Sequence, residues 1–388
     1  MNAIPKKTSA ADDLVQPVRV LVVDDSAVVR GLLSRWIDDL PGCEIVGSVT
    51  NGMLAISAAK RNAAEIVVLD VEMPEMDGLT ALPQLLEDNP GIKVVMISGL
   101  NERNAENSVR ALAMGAVEFV AKPSNGERMT SAAGFQRDFI AKIDAISQSL
   151  RSRTSFAPAQ SRPEAATEKD QNAAHLVAVG NPKHRSRPNG RINPFDLIGI
   201  GSSTGGPQAL LKFFSAFTGP IDVPVLISQH MPPSFTTILA DQLDRSTAYR
   251  CIEAQEGMMP EPGVIYVAPG DYHLLVDKRG NNLVLRTRQT PAENFCRPAV
   301  DPMFRSMAEH LGDRACGVVL TGMGQDGLNG ARALKAANGQ VFVQDEQSSV
   351  VWGMPGAIAR ENLADSQATP EELGQRLFAA LTGERRAH

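Results

Sequence analysis

Cysteine is sparse in this chain of 388 residues, and its four copies (Cys43, Cys251, Cys296 and Cys316) share no paired spacing. That excludes a disulfide framework and a cysteine-built zinc site as organising elements. No run approaches the roughly 18 apolar residues of a membrane span. Met1 to Gln16 also lack the apolar stretch of an export signal, so the sequence reads as cytoplasmic, with no membrane insertion. An excess of basic residues is missing as well. A formal net charge of −6 argues against nucleic acid as a partner. What the chain does have is apolar material, 43% hydrophobic against 21% charged residues, and a length that suits two cores rather than one.

Short apolar runs alternate with helical periodicity through the first third. Strands are expected at Val18–Val23, Cys43–Val49, Ile66–Leu69, Lys93–Ile97 and Glu118–Val120, with helices such as Ala27–Leu40, Gly78–Glu87 and Ala105–Met114 between them. This pattern describes a parallel, doubly wound α/β domain over 18–148, behind an extension of residues 1–17. Composition then shifts to Ser, Pro, Ala, Gln, Asn and Arg, which marks 149–193 as a flexible linker. A second parallel-sheet α/β domain is expected over 194–388.

In the first domain, Asp24 and Asp25 follow the first strand, Asp70 ends the third, Ser98 the fourth and Lys122 the fifth. Carboxyl ends of parallel strands open into one crevice. Carboxylates gathered there repel one another unless a cation intervenes, and Mg²⁺ with its preference for oxygen ligands suits them. Any one of these acids could instead be a turn or helix-cap residue. Taken with the flanking residues, the set resembles the response-regulator receiver domain, in Val22-Val-Asp-Asp-Ser26, Leu69-Asp-Val-Glu-Met-Pro-Glu-Met-Asp-Gly78, Ile97-Ser-Gly99 and Phe119-Val-Ala-Lys-Pro123. The resemblance implies a flavodoxin-like fold with Asp70 as phospho-acceptor. It also implies Mg²⁺ on Asp24, Asp25, Asp70 and the main-chain carbonyl of Glu72. Lys122, Ser98 and Phe119 would then form the phosphoryl-site switch, and Lys122–Pro123 would be cis.

The second domain carries three strand-to-loop segments. Gly201-Ser-Ser-Thr-Gly205 fits Gly-x-Ser-x-Gly around Ser203, between a strand and a helical pattern at Gln208–Phe217. A Walker loop needs Gly-Lys-Ser/Thr and a dinucleotide loop needs glycine where Thr204 stands, so both fail. His230 ends a second apolar strand, and Asp326 follows Thr321-Gly-Met-Gly324 after a third. Hydroxyl, imidazole and carboxylate are the groups of nucleophilic acyl transfer. His273 competes as base, Asp301 and Asp345 as the acid, and Ser203 or Thr204 could merely cap a helix.

These segments, with Arg297-Pro-Ala-Val-Asp301, resemble the chemotaxis response-regulator protein-glutamate methylesterase/glutaminase family, which also places a receiver in front. The resemblance implies Ser203 as nucleophile, His230 as general base, Asp326 as its orienting acid and the Met323 N–H as oxyanion donor, with no cofactor in this domain. It further implies methyl-accepting chemoreceptors as substrate and a chemotaxis histidine kinase as phosphodonor. Fusion through a flexible tether adds the expectation that the unphosphorylated receiver lies across the catalytic crevice, and that phosphorylation at Asp70 opens it.

Overall fold

The computed structural model describes residues 16–99, 102–122, 129–155 and 195–383. The first domain holds strands β1 (Val18–Val23), β2 (Cys43–Val49), β3 (Ile66–Asp70), β4 (Lys93–Gly99) and β5 (Glu118–Lys122). Helices α1 (Ala27–Asp38), α2 (Gly52–Arg61), α3 (Gly78–Asp88), α4 (Glu102–Met114) and α5 (Met129–Ser155) alternate with them. The strands pair in parallel in the order β2-β1-β3-β4-β5. Every residue of β3 is buried, as a strand covered by helices on both faces requires. Local chemistry sets the helix starts: the hydroxyl of Ser26 accepts from Val29 N–H, and Asn51 and Asp77 do the same for α2 and α3. α5 continues to Ser155, so residues 149–155, expected in the linker, are helical. Residues 156–194 and 1–15 lie outside the described residues, as does Pro123.

The second domain holds β6 (Leu197–Ser202), β7 (Val225–Gln229), β8 (Arg250–Glu253), β9 (Val264–Val267), β10 (His273–Arg279), β11 (Asn282–Arg288), β12 (Ala315–Val319), β13 (Gln340–Gln344) and β14 (Ser366–Ala368). Its helices are α6 (Gly206–Ser215), α7 (Phe235–Ser246), α8 (Val300–Leu311), α9 (Leu328–Ala336), α10 (Met354–Arg360) and α11 (Pro370–Thr382). Seven strands form one parallel sheet, β14-β13-β12-β6-β7-β9-β8, while β10 and β11 make a separate antiparallel hairpin. The chain starts at the centre with β6, passes to β7, goes out to β8 at the edge and back to β9 between them, then crosses to β12 on the other side of β6. That reversal is a topological switch point, where the loops at the carboxyl ends of neighbouring strands part and leave a crevice. Among the described residues, no helix is long and apolar enough to cross a membrane.

Candidate active site

In the first domain, Asp24 and Asp70 are buried and Asp25 is exposed. Ligand oxygens of all three lie within 4.8 Å of one another. Lys122 Nζ reaches in from β5, 2.7 Å from Asp24 Oδ2 and 2.8 Å from Asp70 Oδ1. Burial lifts the Asp70 carboxyl to about 6 despite Lys122, helped by the charges of Asp24 and Asp25. One ammonium does not offset three carboxylates, so the donor set fits a divalent cation with oxygen ligands. Glu72 and Asp25 line the same surface cleft. Ser98 is buried at the end of β4, its hydroxyl 2.7 Å from that of Ser108.

In the second domain, β6 and β7 are in register at Ser202↔Gln229, so Ser203 and His230 each stand one residue beyond a paired position. The His230 N–H donates to Ser202 O (3.1 Å), which ties the two strand ends together. β12 flanks β6 on its other side and delivers the loop that carries Asp326. Ser203 N–H donates to Thr321 O at 3.0 Å, and the Ser203 carbonyl accepts from Gly206 N–H at 2.7 Å. Gly205 adopts φ +78°, and a Cβ there would sit 2.5 Å from Val350, so the turn needs glycine on both counts. Ser202 uses its hydroxyl to donate to Gln229 Oε1 (2.6 Å), and Gln229 Nε2 donates to Ser203 O (3.0 Å). The turn is thus pinned from beneath.

His230 Nε2 lies 2.7 Å from Asp326 Oδ2. Asp326 is buried and accepts N–H bonds from Val300 (2.6 Å) and Asp301 (3.0 Å) in the first turn of α8, and from Gly327 (3.0 Å). Burial opposes its charge, but His230 and those N–H groups outweigh that and hold the carboxyl below its usual value. Burial likewise opposes charging of His230. The hydrogen bonds with Asp326 and Cys296 outweigh it, so the imidazole is held above its usual value. No hydrogen-bond partner among the described residues takes the Met323 N–H.

The competing residues are occupied elsewhere. His273 is fully buried between Pro291 O and the Ala299 N–H. Asp301 accepts from Gly330 N–H (2.7 Å), and Asp345 binds Ser348. Neither Ser203 nor Thr204 caps α6, whose N-cap is Gly205. Two residues were missed by sequence reasoning. Cys296 Sγ stands 3.3 Å from His230 Nδ1, and Asn294 Nδ2 donates to Asp326 Oδ1 (3.0 Å). Both belong to a loop without periodicity, and only the neighbouring Arg297-Pro-Ala-Val-Asp301 run hinted at it.

The first domain sits on this loop set. Gly205 N–H donates to Val117 O (2.9 Å), Thr204 Oγ1 to Glu118 Oε2 (2.6 Å) and Gln208 Nε2 to Ala116 O (2.6 Å). Phe119 stacks on Phe235, the first residue of α7, with ring centroids 4.4 Å apart and planes 6° from parallel. Lys142 of α5 lies over the Phe119 ring and bonds its carbonyl (2.9 Å). Burial works against the Lys142 charge, but Glu118 and Asp138 outweigh it and raise the ammonium above its usual value. Further along α5, Arg153 donates to Ser349 O, and Arg153, Ser152 and Gln148 line a crevice with Met323, Trp352 and Gly353.

Comparison with known proteins places both domains. The family model described as CheB methylesterase matches residues 198–377, and that of the response regulator receiver domain matches residues 20–133. A protein-glutamate methylesterase/protein-glutamine glutaminase 1 of Paramagnetospirillum magneticum is 43% identical over 94% of this chain and 95% of its own. The protein of the same description from Rhodospirillum rubrum is 46% identical over 89% and 90%. A protein-glutamate methylesterase/protein-glutamine glutaminase of Maricaulis maris is 40% identical over 99% and 100%. With a receiver domain ahead of its catalytic sheet and relatives of this likeness along nearly its whole length, the chain belongs to the protein-glutamate methylesterase/protein-glutamine glutaminase family.

Proposed function

We propose that the chain removes methyl groups from γ-glutamyl methyl esters of methyl-accepting chemoreceptors, releasing methanol, and deamidates receptor glutamines by the same chemistry. The observation that carries this reading is the His230–Asp326 pair, its carboxylate buried, one strand over from a serine on a pinned turn. Ser203 Oγ attacks the acyl carbon and His230 takes its proton. Asp326 holds Nε2, so Nδ1, which faces Cys296, is the nitrogen that accepts it. The Met323 N–H donates to the oxyanion. Methanol or ammonia departs with the proton from His230, and water then resolves the acyl-enzyme. The test is volatile label released from a methyl-labelled chemoreceptor. No release by the wild type overturns the reading.

Control is assigned to the receiver domain. Asp70 accepts the phosphoryl group from a chemotaxis histidine kinase, and Asp24, Asp25, Asp70 and the Glu72 carbonyl would hold Mg²⁺. The ion supplies the charge neutralisation that phosphoryl transfer needs. Lys122 pairs with the phosphoryl group, Ser98 donates its hydroxyl, and Phe119 reports the change. The bonds from Thr204, Gly205 and Gln208 to Ala116–Glu118 support a resting state in which the receiver limits access to the nucleophile. A fragment spanning Asp196–His388 is therefore expected to hydrolyse receptor esters about tenfold faster than the unphosphorylated whole, within the usual range of such couplings. Equal rates would remove inhibition in cis.

A thermal measurement checks the cation site. Asp70 has a folded pKa above its unfolded value, so the folded state binds more protons. Without added Mg²⁺, stability falls as pH climbs from the ordinary carboxylate range to about 6. Mg²⁺ at a hundred times its dissociation constant should stabilise the domain by about 2.7 kcal/mol. Asp25→Asn should remove most of that gain, and an equal gain in this variant would place the cation elsewhere.

A further inference from the structure

The loop between β11 and α8 holds an arrangement that the chemistry above leaves unused. Glu293 and Cys296 close a two-residue turn with N–H···O bonds in both directions, 3.1 and 2.8 Å. Its central residues, Asn294 and Phe295, both have positive φ, +51° and +64°. This is the backbone of a type I′ turn, in which asparagine suits the first position and glycine ordinarily fills the second. Here a bulky aromatic residue occupies the glycine position. Its exposure is 103%, so among the described residues the ring packs on nothing, the seated receiver included.

The turn itself is braced on all sides. Arg305 grips Glu293 through two bonds of 2.9 and 2.6 Å, and Arg297 Nε donates to Asp271 (2.9 Å). Asn294 donates to Asp301 Oδ2 (3.1 Å) and Asp326 Oδ1 (3.0 Å), and Cys296 faces His230 Nδ1 (3.3 Å). Both neighbours of Phe295 therefore touch residues of the acid–base pair. A strained, wholly exposed aromatic on a rigid mount gives nothing to folding, whereas it suits contact with a macromolecule. Aromatic anchors of this kind concentrate binding energy, and a preformed mount reduces the ordering that binding requires. A single protruding ring cannot enclose a small ester, but it can seat between apolar side chains of a protein surface.

We propose that Phe295 is the anchor for the protein substrate, packing against apolar side chains beside the esterified glutamyl residue and so fixing that residue over the Ser203 turn. This rests on the esterase reading. The test compares full-length wild type with Phe295→Gly and Phe295→Ala on two substrates, a methyl-labelled chemoreceptor and N-acetyl-glutamate γ-methyl ester. KM for the receptor should rise about tenfold in both variants, the loss of one hot-spot side chain. The ratio of kcat/KM for receptor over small ester should fall by the same factor. Phe295→Gly should melt at or above the wild-type temperature, because glycine adopts this backbone without strain. Val28→Ala, which trims a side chain 81% exposed on α1, should leave the ratio unchanged. An equal fall on both esters would make the ring a support for His230 and Asp326 only, and overturn the proposal. So would an unchanged receptor KM, or a self-association of the wild type that Phe295→Gly abolishes. Receptor affinity measured on Ser203→Ala, with and without Phe295→Gly, reads the anchor even where no methyl is released. Failure of the esterase reading is thereby told apart from failure of the anchor.

Discussion

Ser203→Ala should lower methyl release from a labelled chemoreceptor by about 10⁴- to 10⁶-fold, the loss that follows removal of a nucleophile from a serine hydrolase. The effect should be chemical rather than structural. The turn is held by main-chain bonds from Ser203 N–H to Thr321 O (3.0 Å) and from Gly206 N–H to Ser203 O (2.7 Å), and by Gln229 Nε2 on the same carbonyl (3.0 Å). None of these uses the Ser203 hydroxyl. Receptor binding and melting temperature should therefore stay near wild type while the rate collapses. Any remaining catalysis over water would come from the oxyanion donor and from binding. A variant that released methyl at the wild-type rate would falsify the role of Ser203.

Asp326→Asn should cost about 10⁴-fold in rate, through loss of the correct imidazole tautomer and of the charge that stabilises the imidazolium. It should also cost stability. The carboxylate accepts from Val300, Asp301 and Gly327 N–H and from Asn294, and an amide sets a donor against some of those donors. A buried mismatch of this kind costs roughly 1–3 kcal/mol. The pH dependence separates the two losses. In the wild type His230 is held above its usual value, chiefly by Asp326 once burial is overcome, so its neutral, proton-accepting form grows in only on the alkaline side of the ordinary imidazole range. The rising limb of kcat/KM should lie there, and should move to lower pH in Asp326→Asn. Stability has the opposite slope. A folded-state imidazole pKa above the unfolded one adds stability that is complete below about 6.5 and fades as pH rises through the folded value. That dependence should flatten in the variant. A limb that does not move would mean that Asp326 does not act through His230.

The sheet was the most legible part of the molecule. Strands such as Ile66–Asp70 and Leu197–Ser202 are buried at every residue, and an unbroken apolar run is what a strand covered on both faces must show. The rim of the site was legible for the same reason. Ser203 and His230 each follow a buried run, and strand ends of a parallel sheet share a side. What escaped detection depends on neither periodicity nor motif. Arg151-Ser-Arg-Thr-Ser155 has a linker's composition, yet α5 runs through it, with Arg153 donating to Ser349 O and so tied to the other domain. Asn294 and Cys296 act from a turn whose sequence carries no glycine at the position where one would be sought. The bond between Thr204 and Glu118 joins residues 86 apart in sequence on different domains, and nothing local in either stretch announces it.

β5 carries Lys122 at one extremity and Glu118 at the other, four residues apart and therefore about 13 Å along an extended strand. The ammonium that grips Asp24 and Asp70 and the carboxylate that clasps Thr204 are thus mounted on a single stiff rod. On the proposed reading, a displacement of Lys122 reaches Thr204 along one strand that pairs with β4 at every residue. Inserting a residue into β5 should therefore weaken the proposed control of Ser203 while leaving each terminus chemically intact.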